Sequence, residues 1–148
     1  MRAVVQRALA ARVEVDGEVV GSIGPGLVAF VGAGDGDGDD DLDYVLRKVV
    51  ELRVFEDERG KMARALGDAG GELLVVSQFT LFGDVRRGNR PSFTGAMAPE
   101  PASAMIDRFV ARARERVKNV ATGRFGADMR VFVENDGPVT IIIDSRAR

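Results

Sequence analysis

Gly24-Pro25-Gly26-Leu27-Val28-Ala29-Phe30-Val31 decides the fold class: a turn signal leads into five unbroken apolar residues. A run that short, with no polar residue at alternate positions, fits a strand covered on both faces. Something must therefore pack on either side of its sheet. Upstream, Arg12-Val13-Glu14-Val15-Asp16 alternates, and Asp16-Gly17 separates it from Glu18-Val19-Val20, giving strand, tight turn and strand. Downstream, Leu42, Val45, Leu46, Val49 and Leu52 recur at helical spacing, which predicts an amphipathic helix over 40–52. A second helix is predicted to begin near Pro101, with Ile106, Phe109, Val110, Ala113 and Val117 on one face and Arg108, Arg112 and Arg116 on the other. Residues 72–76 read as another buried strand, and 129–134 and 139–143 as two strands joined at Asn135-Asp136-Gly137-Pro138. With no linker or repeat, residues 1–148 are expected to form a single α/β domain, two main helices packed on a mixed sheet.

The chain contains neither Cys nor His. That removes a Ser-His-Asp triad, a Cys-His pair, a zinc site built on His or Cys, and imidazole as a general base. Catalysis must use hydroxyls, carboxylates, Lys, Arg, backbone amides or the substrate itself. Gly32-Ala33-Gly34-Asp35-Gly36 lacks the third glycine of a dinucleotide fingerprint, and no Lys-Ser/Thr follows a glycine loop, so no cofactor is expected. Asp35, Asp37 and Asp39 alternate as in a calcium loop, but the sixth position is Asp40 instead of Gly and the twelfth is Leu46 instead of Glu. No metal is expected; the carboxylates read as a solvated turn at a helix start. The formal net charge of −2 excludes a uniformly basic coat while leaving room for a local basic patch. No segment has the length of a membrane span, and the opening MRAVVQRALA lacks the long apolar core of a signal peptide, so a soluble, cytoplasmic protein is expected.

Three places combine residues suited to chemistry. In Ser77-Gln78-Phe79-Thr80-Leu81 an apolar strand ends in hydroxyls and an amide before a polar loop, where a rigid scaffold can present backbone donors to a ligand. Ser77 and Thr80 could equally serve only nearby backbone groups. Asn135-Asp136-Gly137-Pro138-Val139-Thr140 carries ordinary hairpin-turn residues, although a cis Gly-Pro bond would also aim two successive carbonyls in a fixed direction. The loop Arg86-Arg87-Gly88-Asn89-Arg90 and the second helix form a basic stretch; Arg108, Arg112, Arg114, Arg116 and Lys118 stand there against only Asp107 and Glu115. Such a surplus suits phosphate contacts as well as it suits a solvated face. Glu56-Asp57-Glu58, followed closely by Gly60, reads as an exposed turn.

These segments, in this order, resemble the D-aminoacyl-tRNA deacylases over essentially the whole chain. The likeness runs through residues 1–7, 15–21 and 52–57, the two signatures SQFTL at 77–81 and NDGPVT at 135–140, and also Arg90-Pro91-Ser92-Phe93 and residues 123–129. The resemblance implies a three-layer α/β/β fold and a homodimer with the active site at the subunit interface. It implies that D-aminoacyl-tRNA is the substrate, its ester hydrolysed to free D-amino acid and tRNA as chirality proofreading in translation. Gly137 and Pro138, joined by a cis bond, would enter the partner's pocket and hold the α-amino group so that an L side chain collides with main chain. Glycine escapes such exclusion, so glycyl-tRNA, especially glycine mischarged on an alanine tRNA, is a second expected substrate.

By the same resemblance, backbone amides around Phe79 and Thr80 face the ester carbonyl while Ser77 and Gln78 shape the pocket. Phe125 and Met129 would wall the terminal adenine, and Arg7 would brace the Gly-Pro turn. Arg86, Arg87 and Arg90 are candidates for the tRNA backbone; no DNA or membrane partner is expected. An aminoacyl ester is already activated, so oriented oxyanion donors worth about 3 to 4 kcal/mol each could supply most of the acceleration without histidine. Thr80 as a covalent nucleophile would need a base, and none is near it in sequence. The tRNA's 2′-hydroxyl is the preferred assistant to attacking water. Two other readings compete: an RNA binder without turnover, and a small-ester hydrolase that uses Thr80 and ignores RNA.

Overall fold

The computed structural model describes Met1–Arg148. In chain order its elements are β1 (Arg2–Val15), β2 (Glu18–Ile23), β3 (Gly26–Gly32), α1 (Asp39–Glu51), β4 (Phe55–Glu56) and β5 (Met62–Arg64). They continue with β6 (Glu72–Ser77), α2 (Pro99–Arg114), β7 (Val120–Thr122) and β8 (Arg130–Asp144), with short 3-10 turns at Phe79–Phe82 and Ser145–Ala147.

β1 is the spine. Its 14 residues are long enough for two strands to share one edge: β3 pairs antiparallel from Arg2↔Gly32 to Ala8↔Gly26, and β2 from Ala11↔Ile23 to Val15↔Glu18. Asp16 and Gly17 connect β1 to β2 with φ of 51° and 80°, the positive values that a two-residue hairpin between right-twisted strands favours. β6 then lies parallel to β3, and β7 parallel to β6, so the sheet is mixed as expected.

The unbroken apolar runs divide by alternation between two cores. Leu27, Ala29 and Val31 of β3, with Leu73 and Val75 of β6, face the larger core, where α1 and α2 supply Leu42, Val45, Val49, Met105, Ile106 and Phe109. Val28, Leu74 and Val76 face the opposite way, into a smaller core with Val13 and Ile23, against which Val131 and Val133 of β8 pack. The curled sheet brings β2 against β7 so closely that a Cβ on Gly21 would lie 2.2 Å from the Thr122 carbonyl oxygen. Only glycine fits there. Helices, sheet and the sheet's own curled half make the α/β/β layering.

The expected break at residues 135–138 is not a hairpin. Residues 130–134 and 140–144 both run antiparallel to β1, from Glu14↔Arg130 to Ala10↔Glu134 and from Gln6↔Thr140 to Arg2↔Asp144. The chain therefore never reverses; it bulges out and rejoins the same ladder. The turn-forming residues are spent on that bulge, which the Asn135 side-chain amide closes by donating to the Arg7 and Val139 carbonyls at 2.9 and 3.0 Å. The Gly137–Pro138 bond within it is cis.

Smaller departures have local causes. α2 starts at Pro99, two residues before Pro101, and ends at Arg114, leaving Val117 buried just beyond it. β4, β5 and β7 span only two or three residues, too few to show a period. Asp57 accepts from the Arg59 and Lys61 amides in the exposed turn that was expected there. The acidic stretch is less solvated than its composition suggests, because the Asp37 side chain is buried. It lies 2.5 Å from the α-ammonium of Met1 and accepts from the Gly34 amide. The same ammonium donates to Ser145 Oγ, so the clasp joins the chain's two ends.

Candidate active site

A cavity of about 580 Å³ opens where β3 and β6 end, Val31-Gly32-Ala33 on one side and Val76-Ser77-Gln78 on the other. The carboxyl ends of adjacent parallel strands leave main-chain groups without a ladder, which is why ligands collect there. The volume lies within the roughly 300–1,000 Å³ usual for small-molecule sites. The strands approach so closely that a Cβ on Gly32 would lie 2.6 Å from the Gln78 carbonyl.

The chain after β6 supplies donors. Gln78 bonds back to the Val31 carbonyl at 2.8 Å, and the chain then turns through Phe79–Phe82, with the Leu81 amide on the Gln78 carbonyl. The Phe79 and Thr80 amides open this turn, so neither has an acceptor within it, and neither bonds backbone elsewhere. Two adjacent N–H groups are thus free beside the cavity. The Gln78 amide donates to the Thr80 hydroxyl, which is exposed. No Lys or carboxylate hydrogen-bonds to that hydroxyl.

Phe125 and Met129 form another wall. Gly126, at φ +75°, turns the chain between them, and the Arg124 amide points at Met129 Sδ at 3.4 Å, while Gly123 leaves the room that Sδ occupies. Loop 93–98 adds Phe93, from the quoted Arg90-Pro91-Ser92-Phe93, together with Ala96 and Met97, which the sequence reading did not single out. It is tied to the end of β3 by Met97 N–H on the Ala33 carbonyl at 3.0 Å, and Phe93 meets Phe79 edge-to-face at 5.1 Å between centroids. The available signal for Met97 was an apolar side chain soon after the polar run at 86–92.

Of the residues singled out, Ser77, Gln78, Phe79, Phe125 and Met129 line one cavity. Thr80 stands at its margin. Gly137 and Pro138 are exposed and do not line it. Arg7 lies beneath their bulge: its Nη1 donates to the Val54 carbonyl at 2.6 Å, and its Nε sits 3.0 Å from the Asp136 carboxylate, a charge contact without hydrogen-bond alignment. The Arg86 side chain donates to Asp84 and holds that carboxyl down to about 2, whereas Arg87 and Arg90 are exposed and form no ion pair. The cationic face of α2 is occupied by the chain itself. Arg108 and Arg112 meet Asp39, Arg112 also meets Asp43 at 2.6 Å, and Arg116 meets Glu51 at 2.9 Å.

This is an α/β domain with an apolar, ligand-sized cavity at its parallel strand ends and paired main-chain donors at the rim, the architecture of a small-molecule site. The sequence matches the D-Tyr-tRNA(Tyr) deacylase family over residues 4–144. It is 69% identical over 147 residues to a D-aminoacyl-tRNA deacylase of Sorangium cellulosum, covering 99% of this chain and 98% of that one. To a D-aminoacyl-tRNA deacylase of Clostridium botulinum it is 53% identical over 146 residues, with the same coverage. Among solved structures, one titled c-Myc DNA Unwinding Element Binding Protein superposes with a TM-score of 0.93 at 42% identity, over 97% of this chain and 98% of that one. A probable eukaryotic D-amino acid tRNA deacylase shares the fold with a TM-score of 0.82 at 18% identity, over the same shares of the two chains. The chain belongs to the D-Tyr-tRNA(Tyr) deacylase family, and with it to the hydrolases that deacylate D-aminoacyl-tRNA.

Proposed function

We propose that this domain, residues 1–148, holds the 3′ end of a D-aminoacyl-tRNA in the cavity at the ends of β3 and β6 and hydrolyses its ester there. The observation that carries this reading is the pair of unengaged amides, Phe79 and Thr80, at the rim of a cavity also lined by Ser77, Gln78, Phe125 and Met129. The terminal adenine stacks against Phe125 and Met129, which brings the ester carbonyl to the two amides. Water adds to the carbonyl carbon with help from the tRNA's 2′-hydroxyl, and the oxyanion accepts from both amides. Collapse expels the ribose 3′-oxygen, which takes up a proton, leaving free D-amino acid and tRNA. Gln78 positions the Thr80 hydroxyl and Thr80 forms no acyl intermediate, since no base hydrogen-bonds to it.

The chirality gate is assigned to Gly137 and Pro138 acting in the cavity of a second copy. In support, the bulge projects into solvent outside its own chain's cavity, and Arg7 braces it from beneath through its charge contact with Asp136. The edge of β8 not paired with β1 is open, and Phe132 and Ile142 on that strand are exposed, Ile142 at 76%. An open edge beside exposed apolar side chains suits a homodimer. A gate made of main chain is indifferent to side-chain identity, rejects L residues by collision, and passes glycine, so glycine mischarged on an alanine tRNA is a second substrate. Arg87 and Arg90, with Arg86 turned toward Asp84, lie along the tRNA backbone. A tRNA substrate places the reaction in the cytoplasm, and no helix is long and apolar enough to cross a membrane.

The test is deacylation of one tRNA charged in parallel with D-tyrosine, L-tyrosine and glycine, with enzyme in catalytic amount. Loss of the D and glycyl esters, with the L ester spared, is expected. Equal loss of both tyrosyl esters removes the gate. Binding without loss of any ester replaces the reading with an RNA binder.

A further inference from the structure

Beside the main cavity lies a second cleft of about 310 Å³ between α2 and β7. The two share Ser77, Ile106 and Phe125 as walls, so the second cleft lies directly beside the adenine wall of the first. It is lined as well by Asp107 and Arg114 of α2, Thr122 of β7 and Gly123 just after that strand. Seven residues apart, Asp107 and Arg114 lie on one helix face about 10 Å apart along the axis, giving the cleft an anionic and a cationic end.

Arg114 differs from its neighbours. Arg108, Arg112 and Arg116 are each engaged by a carboxylate from α1, whereas Arg114 is exposed and makes neither an ion pair nor a side-chain hydrogen bond. It is the one arginine of α2 whose charge is uncommitted, and it lines the cleft. A guanidinium in a partly enclosed site, with a carboxylate at the other end to repel anions, fixes where a phosphate can sit.

We propose that this cleft is the subsite for the nucleotide preceding the terminal adenosine, with the phosphodiester that joins that nucleotide to the adenosine on Arg114. The proposal rests on the reading that an adenosine 3′-ester occupies the main cavity. It deepens that reading, since it makes Arg114 the residue that distinguishes a polynucleotide ester from a simple adenosine ester. Arg114 is a positioning residue, remote from the reacting carbonyl.

The experiment compares three D-tyrosyl esters, those of tRNA, of the dinucleotide cytidylyl-adenosine, and of adenosine alone, with wild-type enzyme, Arg114→Gln and Arg114→Lys. For the tRNA and dinucleotide esters, Arg114→Gln is expected to raise KM about tenfold with kcat unchanged, and to reduce the dependence of log KM on log salt by about one ion contact. The adenosine ester should not respond, and Arg114→Lys should restore the salt dependence. A melting temperature equal to wild type is expected because Arg114 is exposed and unpaired. Equal wild-type KM for the dinucleotide and adenosine esters, or equal effects of Arg114→Gln on all three, overturns the subsite while leaving the deacylase reading intact. If wild-type enzyme cleaves none of the three, the deacylase reading itself fails and the subsite falls with it.

Discussion

Gly137 sits at φ +117°, and a Cβ added there would lie 2.9 Å from Val139 Cγ2 and 3.2 Å from an Arg7 guanidinium nitrogen. Both the backbone conformation and the space exclude a side chain, so Gly137→Ala must move the bulge. D-tyrosyl-tRNA hydrolysis should fall about a hundredfold, the cost of roughly 1 Å misplacement at a reacting centre, while the thermal melt changes little because the bulge is exposed. Parallel rate and melting measurements check this. At Thr80 the expectation is milder. Thr80→Ala removes one hydroxyl contact with Gln78, worth about 1 kcal/mol, so a loss of roughly tenfold or less is expected in single-turnover deacylation. An acyl-threonine ester trapped and seen by mass spectrometry would contradict the water mechanism. Residue identity was legible from sequence for these positions, but the relation between them was not. Arg7 and Gly137 are 130 residues apart in the chain, and only the β1–β8 ladder brings them together.

At the scale of elements, apolar runs and periodicity located both helices and most of the long strands because each has a continuous face to bury, but they split β8 into two. β3 and β6 illustrate the limit: their apolar runs announce two-sided burial, but which residues meet the helices follows from the alternation only after the sheet is formed. Leu74, fully buried in the smaller core, tests whether that second layer bears weight. Leu74→Ala should cost about 2–5 kcal/mol and lower the urea midpoint accordingly. The basic face of α2 shows a different limit. Arg112 and Arg116 looked available for RNA, yet their partners lie on α1, some 65 to 73 residues away in sequence. Arg112→Gln should therefore leave both the KM for charged tRNA and its salt dependence unchanged.

For the molecule as a whole, the two chain ends are secured at one point. Met1's ammonium and the Asp37 carboxylate are both buried, so Asp37→Asn leaves a buried charge without its counter-ion, and should cost about 3–5 kcal/mol in chemical unfolding. Acid should loosen the same region. Asp41 is held below the usual carboxylate range by the Gly38 amide and the Ser145 hydroxyl. Burial pushes the Asp144 carboxyl up, but the Arg146 amide and the Arg2 guanidinium outweigh it and hold it low. A lowered folded-state value means that the stabilisation is complete above the unfolded carboxylate value of about 3.9 and is lost as pH falls through the folded value. Urea midpoints should thus be flat near neutrality and fall below about pH 4, with a shallower fall in Asp41→Asn.

The sequence by itself determined the class of fold, through apolar runs whose lengths and periods suit only buried strands and amphipathic helices. It also determined what chemistry is open to the chain, through the absence of His and Cys and the order of its motifs. The tertiary structure alone decided that residues 130–144 are one bulged strand, because turn residues shape the chain locally while the partner ladder determines whether it reverses. It likewise decided which arginines are free, because charge is a property of a residue but its neutralisation depends on neighbours that folding supplies.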